Sequence, residues 1–518
     1  MLGKGLSLPD AESYTITPEE KFVIYFDSKK QNYFSYEIST GIIRNITEGA
    51  NTNWTEELTS DQPDWAHSAV GIARFLPDDK GVFIYGRNDV FLADPSAQKK
   101  VVCLTNYYGQ KNDMVFRFAE GRTFSALYQK KMILSAFNTR NKNDGFAIAT
   151  FGKQKDPVIT IQEPYFICGD LGLEGFTPYI FLKAKNVDKF IVQKQSVAEA
   201  SNYYVTEDFV NFKRLSNEFP EKDYKWMKAE LVEWKNVDGR TLQGVLYKPD
   251  DFDSTKSYPV IFNYYVRSSN ALHHYEAPGM VGGLNLPYMV TQDYLVFVPD
   301  IFYKIGEPGR SAYNCIVSAA NHLAMFPWVN RKKMALYGHS FGGFETNYVI
   351  AHTNLFAAAV SSSGMTNFIS AYGSIVGDGV SRQGQYELTK DRIGGTLWDK
   401  LDSYIDNSPV LRADKIETPL LMMGNKEDDD VPFTQGVELF TALRRLGKKV
   451  WMIQYDGEGH IIVGCSDAPK DWMLRVKTFY DHYLKDMPSQ KWMTQGVSAQ
   501  EKSFFSGMET DVSHVKSE

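Results

Sequence analysis

Two hydrophobic rhythms divide the chain near residue 222. Up to about residue 220, apolar and polar positions alternate over short runs separated by turn-forming residues, the pattern of half-buried strands. Phe22-Val23-Ile24-Tyr25-Phe26, Tyr33-Phe34-Ser35-Tyr36 and Gly41-Ile42-Ile43-Arg44-Asn45 predict three strands joined by polar turns. A similar unit recurs over 81–85, 90–92 and 101–104, with weaker copies across 132–159 and 189–215. The repeat, about 50 to 60 residues, is the period of a four-stranded propeller blade, and roughly four such units are visible. Four blades are the lower limit for a closed ring. The pattern therefore predicts an all-β, partial β-propeller domain over 1–222, with an all-β sandwich as the alternative.

From Ala229 the rhythm changes to strand and helix in alternation, the signature of a mostly parallel, doubly wound sheet with helices on both faces. A hairpin over 229–235 and 241–248, turned at Asp238-Gly239, opens this part. Buried strands are predicted at 260–264, 294–298, 334–337, 356–360, 420–423 and 450–455. Helices follow from Cys315, Ala319 and Leu323, from Leu439, Leu443 and Leu446, and from Trp472, Val476, Phe479 and Tyr483 at helical spacing. This α/β domain is expected over 223–488. The polar tail, 489–518, is expected to be poorly ordered.

Composition narrows the partners. The 518 residues suit two or three domains, and no run of 18 apolar residues suggests a membrane span. The net charge of −7, without a basic block, argues against nucleic acid as a partner. Cys103, Cys168, Cys315 and Cys465 form no C-x-x-C pair, so neither a disulfide framework nor a zinc site is indicated. No nucleotide or metal motif is present, and the acidic run 427–430 lacks the alternation and glycine of a calcium loop. No cofactor is expected. The first residues carry no apolar export segment.

Chemistry concentrates at Gly338-His339-Ser340-Phe341-Gly342, a G-x-S-x-G sequence between the predicted strand 334–337 and a predicted helix 345–352. A strand turning sharply into a helix at a serine needs glycine on both sides and holds the hydroxyl accessible. Serine needs a base, and the base needs an orienting acid. In an α/β-hydrolase these follow in the order Ser, acid, His, each just past a strand. His460, in Asp456-Gly457-Glu458-Gly459-His460, fits the base better than His273, His274, His339, His352 or His482. Glu427, Asp428, Asp429 and Asp430, after the strand 420–423, all qualify as the acid.

Several segments in order resemble the prolyl oligopeptidase family, nearest its dipeptidyl-peptidase-IV-like bacterial branch. They are Tyr258-Pro259-Val260-Ile261, Val298-Pro299-Asp300, the run from Gly338 to Thr346, Asp428-Asp429-Asp430-Val431-Pro432, and Tyr455 to His460. The resemblance implies an N-terminal β-propeller capping an α/β-hydrolase, with Ser340 as nucleophile, His460 as base and Asp428 as acid. It also implies an oxyanion hole from the Tyr265 hydroxyl and the Phe341 backbone N–H. Phe368 and Tyr372 fall where family members line the pocket before the scissile bond, implying an apolar slot for proline or alanine. The paired glutamates with which dipeptidyl members bind a substrate amino terminus find no match in residues 1–220. With few blades as well, the chain is expected to be the C-terminal part of a longer protein or a divergent short member. It would be periplasmic or secreted in the first case and cytoplasmic otherwise.

The expected function is a serine peptidase acting on short peptides through an acyl-enzyme, with a homodimer as a further candidate partner. A carboxylesterase using the same triad and a catalytically silent β-propeller binding protein are the alternatives.

Overall fold

The computed structural model describes residues 11–55, 69–119, 131–151, 154–167, 181–279, 283–377, 379–463, 466–498, 500–502 and 504–513. Cys168 and Cys465 lie outside them. The chain divides into two compact units, residues 1–220 with 273–275, and residues 221–272 with 276–518.

The first unit contains four antiparallel sheets of four strands each. The first runs from Ala11–Ile16 through Phe22–Asp27 and Asn32–Glu37 to Ile43–Asn45, each strand pairing with the next. The second starts at Ile72–Phe75, the third at Met114–Phe118 and the fourth at Phe181–Lys183. Each is a meander, as a propeller blade is. Aromatic side chains join consecutive sheets. Trp54 packs on Tyr33 of the first sheet at 5.8 Å and on Phe91 of the second at 4.7 Å. Phe83 and Val90 share a cluster with Phe116 and Leu134 of the third, and Phe146 reaches Phe209, beyond the fourth sheet's third strand, at 5.0 Å. The opening strands of all four sheets escape the sequence pattern. Ile72–Phe75 is half-buried throughout, and such a strand has no clean two-residue rhythm.

The second unit is built on one sheet of eight strands: β1 (Met227–Lys235), β2 (Thr241–Pro249), β3 (Tyr258–Asn263), β4 (Leu295–Pro299), β5 (Val329–His339), β6 (Ala358–Ser362), β7 (Leu420–Met423) and β8 (Val450–Ile453). The spatial order is β1-β2-β4-β3-β5-β6-β7-β8. β1, β2 and β4 pair antiparallel, and every later pair is parallel. The parallel strands are almost wholly buried because helices cover both faces. On one face, α1 (Pro308–Leu323) and α3 (Phe433–Arg445) bury Cys315, Ile316, Leu439 and Leu443 against Leu336, Val260 and Phe262. Tyr337, one residue on, points to the other face. There α4 (Ala468–Lys485) meets it, Trp472 Nε1 donating to the Tyr337 hydroxyl at 3.3 Å and the Tyr480 hydroxyl donating to the Leu336 carbonyl at 2.8 Å.

The described part of the tail, 489–498, 500–502 and 504–513, corrects the expectation of poor order there. It turns back as a short helix, Lys491–Thr494, followed by an isolated bridge from Gln490 to Thr510. Trp492 is only 3% exposed, lying 5.4 Å from the Arg475 guanidinium, and Trp451 Nε1 donates to the Met493 carbonyl at 2.8 Å. Polar composition concealed two well-placed apolar anchors. Truncating the larger, Trp492→Ala, should cost about 3 kcal/mol, read as a lower urea midpoint with the unfolding slope unchanged.

Candidate active site

β5 ends at His339 and α2 (Phe341–Ile350) starts two residues later, leaving Ser340 alone in the turn with φ 58° and ψ −121°. A non-glycine residue with positive φ is strained and persists only where its surroundings over-determine it. Two close approaches do so. A Cβ on Gly338 would lie 1.9 Å from the Gly342 carbonyl oxygen, and one on Gly342 would lie 2.5 Å from the Tyr264 carbonyl oxygen. Only glycine lets α2 start this near the ends of β5 and β3. The Ser340 N–H donates to the Ser362 carbonyl at 2.8 Å, tying the turn to β6.

The loops after β7 and β8 bring the other two groups. His460 Nε2 stands 2.8 Å from Ser340 Oγ, and His460 Nδ1 lies 2.9 Å from both oxygens of Asp428. The Asp428 side chain is 1% exposed and His460 11%. Asp428 Oδ1 also accepts from the backbone N–H groups of Asp430 at 2.9 Å and Val431 at 2.7 Å. That satisfies the charge and fixes the carboxylate's direction. Asn425 secures both loops, donating to the Gly459 carbonyl at 2.9 Å and accepting from Tyr455 N at 3.0 Å. Of the four acidic candidates, Asp428 alone is held this way. Asp430 instead pairs with Arg382, with its Oδ2 3.8 Å from His460 Nε2. Burial pushes the Asp430 carboxyl up, but His460, Arg382 and Lys390 together outweigh it and hold it below the usual carboxylate range.

Tyr264 and Tyr265 divide as strand alternation requires. The Tyr264 hydroxyl is buried at 2.8 Å from Thr346 Oγ1, which leaves Tyr265 on the opposite side, its ring beside Gly342. Phe341 opens α2, so its N–H has no acceptor within the helix. Three residues unsuspected from sequence brace this corner. The Tyr303 hydroxyl donates to the Tyr265 carbonyl at 2.7 Å and to Glu345 on α2. The Arg392 guanidinium, 1% exposed, lies 4.0 Å over the Tyr303 ring and 5.1 Å from Phe341. A carboxylate within the elbow helix, Glu345, was the available signal.

A small recess opens at Ser340 and Phe341. Its apolar wall is Met365, Tyr386 and Val431, and its polar wall includes Arg382, Lys390 and Asp430. Phe368 and Tyr372, the aromatics implied as its lining, stand behind Tyr386 at ring distances of 5.2 and 6.1 Å, fully buried. The segment between β6 and the short helix Leu401–Asp406 inserts Tyr386 in front of them, which strand-and-motif reading could not foresee. His339 lies 5.0 Å from the His460 ring, with Nδ1 3.0 Å from Ser362 Oγ. Burial, with His460 adding to it, pushes His339 down to about 4.

An eight-stranded sheet of this order, with serine after β5, acid after β7 and histidine after β8, defines the α/β-hydrolase class. Comparison with known proteins narrows it: residues 303–487 match the family described as the prolyl oligopeptidase family. The chain is 26% identical over 49% of its length to the uncharacterized peptidase YuxL of Bacillus subtilis, and 24% identical over 50% of its length to dipeptidyl-peptidase 5 of Porphyromonas gingivalis. The alignments cover 39% and 38% of those two proteins, so the chain spans about two fifths of the curated relatives it matches. The structure of a putative dipeptidyl aminopeptidase IV from Bacteroides ovatus superposes with a TM-score of 0.63 at 17% identity, over 91% of this chain and 66% of that one. That likeness concerns the fold.

Two outcomes follow. Tyr303→Phe should lower kcat about tenfold with KM unchanged, whereas Glu345→Gln, which still accepts, should stay within about threefold; steady-state kinetics on a chromogenic peptide decides. An unfolded histidine binds its proton near 6.5, whereas folded His339 refuses it down to about 4. Its contribution to stability is therefore complete above pH 6.5 and lost as pH falls towards 4. His339→Gln should make the urea midpoint less sensitive to pH across that window.

Proposed function

We propose that the chain is a serine peptidase that hydrolyses short peptides through an acyl-enzyme. The observation carrying this reading is the unbroken hydrogen-bonded chain from Ser340 Oγ through His460 to a buried, doubly N–H-bonded Asp428. The match to the prolyl oligopeptidase family across residues 303–487 supports peptides as substrates.

In the acylation step Ser340 Oγ bonds to the scissile carbonyl carbon while its proton passes to His460 Nε2. Asp428 keeps the imidazole in the tautomer with Nδ1 protonated and stabilises the imidazolium. The Phe341 N–H and the Tyr265 hydroxyl receive the oxyanion, each worth about 3 to 4 kcal/mol in the transition state. His460 then returns the proton to the departing amine as the C–N bond breaks. Water, deprotonated by the same imidazole, releases the acyl group and regenerates Ser340.

Fluorophosphonate labelling of the wild-type chain, lost in Ser340→Ala and strongly reduced in His460→Ala, is the expected result. Asp428→Asn should retain the fold and lower kcat by about 10⁴. An unlabelled, well-folded wild-type chain would refute the activated serine.

A further inference from the structure

Because the recess opens at Ser340 and Phe341, it adjoins the point where the scissile carbonyl must sit. It therefore receives the side chain of the residue that becomes the acyl group. Its lining is not the apolar slot implied by family resemblance. Beside Met365, Tyr386 and Val431 stand two cations, Arg382 and Lys390, and one carboxylate, Asp430.

That carboxylate is already engaged. Asp430 Oδ1 pairs with Arg382 Nη2, and its Oδ2 faces His460 Nε2 at 3.8 Å. Arg382 Nη1 donates to Gln385 Oε1 at 2.6 Å, and Nη2 also reaches the Asp429 carbonyl at 3.4 Å. Its Nε is buried and meets no acceptor among the described residues. Behind the lining lies the fully buried Asp391, whose carboxyl burial pushes up to about 6 although Lys390 and Arg392 pull the other way. An apolar occupant would leave that Arg382 guanidinium N–H unmatched, which is costly. A carboxylate arriving between Arg382 and Lys390 would supply an acceptor facing two cations, and charge-assisted hydrogen bonds are the strong ones.

We infer that the recess selects substrates with an acidic side chain, glutamate or aspartate, immediately before the scissile bond, with Arg382 as the specificity-determining residue and Lys390 assisting. The methylenes of a glutamate would lie along Met365 and Tyr386 while its carboxylate meets the cations. This inference rests on the serine peptidase reading and assigns its substrate class.

The test uses 4-nitroanilides of Ala-Glu, Ala-Gln, Ala-Leu and Ala-Pro, each with a free and an acetylated amino terminus, on the full chain. The wild type should favour glutamate over glutamine by about tenfold in kcat/KM, the ratio one charge-assisted hydrogen bond commands. In Arg382→Gln that ratio should collapse towards one, and in Lys390→Gln it should fall part of the way. Because glutamate and glutamine are compared on one preparation, any general loss of activity cancels. A wild-type ratio at or below one, or leucine or proline preferred over glutamate, overturns the inference. If Arg382→Gln fails to fold, the wild-type ratio and Lys390→Gln still decide. Fluorophosphonate labelling in parallel separates the two levels: a labelled enzyme without glutamate preference refutes the acidic pocket alone, and an unlabelled wild type refutes the peptidase reading beneath it.

Discussion

The backbone contact between the start of α2 and the ends of β3 and β5 governs the arrangement of the second unit. With no side chain at Gly338 or Gly342, the helix begins at van der Waals distance from the Gly338 backbone and from the Tyr264 carbonyl. Ser340 is thereby forced to a positive φ, a conformation costing of order 1–3 kcal/mol that the flanking parallel strands sustain. Two results come from one constraint: Ser340 stands alone in the turn between β5 and α2, and Tyr265 is brought against Gly342.

Around that corner three buried carboxylates are handled in three ways. Asp428 is matched by two backbone N–H groups and an imidazole, which fix the direction of its carboxylate. Glu345 takes the Tyr303 hydroxyl and spends its interaction on geometry, coupling α2 to the Tyr265 backbone. Asp391 lies between Lys390 and Arg392 in sequence and in a setting where burial outweighs their pull. Low local dielectric makes each of these groups costly unless matched, and the matching partners differ because the tasks differ.

The first unit follows a more local logic. Every sheet is a meander of neighbours in sequence, and aromatic side chains clip each sheet to the next. Side-chain hydrogen bonds from buried aspartates reinforce the turns: Asp89 accepts from Thr105 Oγ1 at 2.6 Å and from Gly109 N at 2.9 Å. The repeat was visible in sequence for that reason, although the opening strands of the four sheets were not.

The sequence by itself determined what depends on a few consecutive residues. Strand and helix periods, the Asp238-Gly239 hairpin, and the glycine spacing around Ser340 are consequences of local backbone sterics and of burial on one face, so they can be read along the chain. The order serine, acid, histidine was legible too, because each follows a recognisable strand. Tertiary structure alone decided which side chains meet across 32 and 120 residues, as His460 does with Asp428 and Ser340. It separated Tyr265 from Tyr264, placed Tyr386 in front of Phe368 and Tyr372, folded the tail onto Trp451, and set Arg382 and Lys390 facing the serine. Charge pairing and burial are properties of proximity in space, and the sheet's crossovers set that proximity independently of distance along the chain.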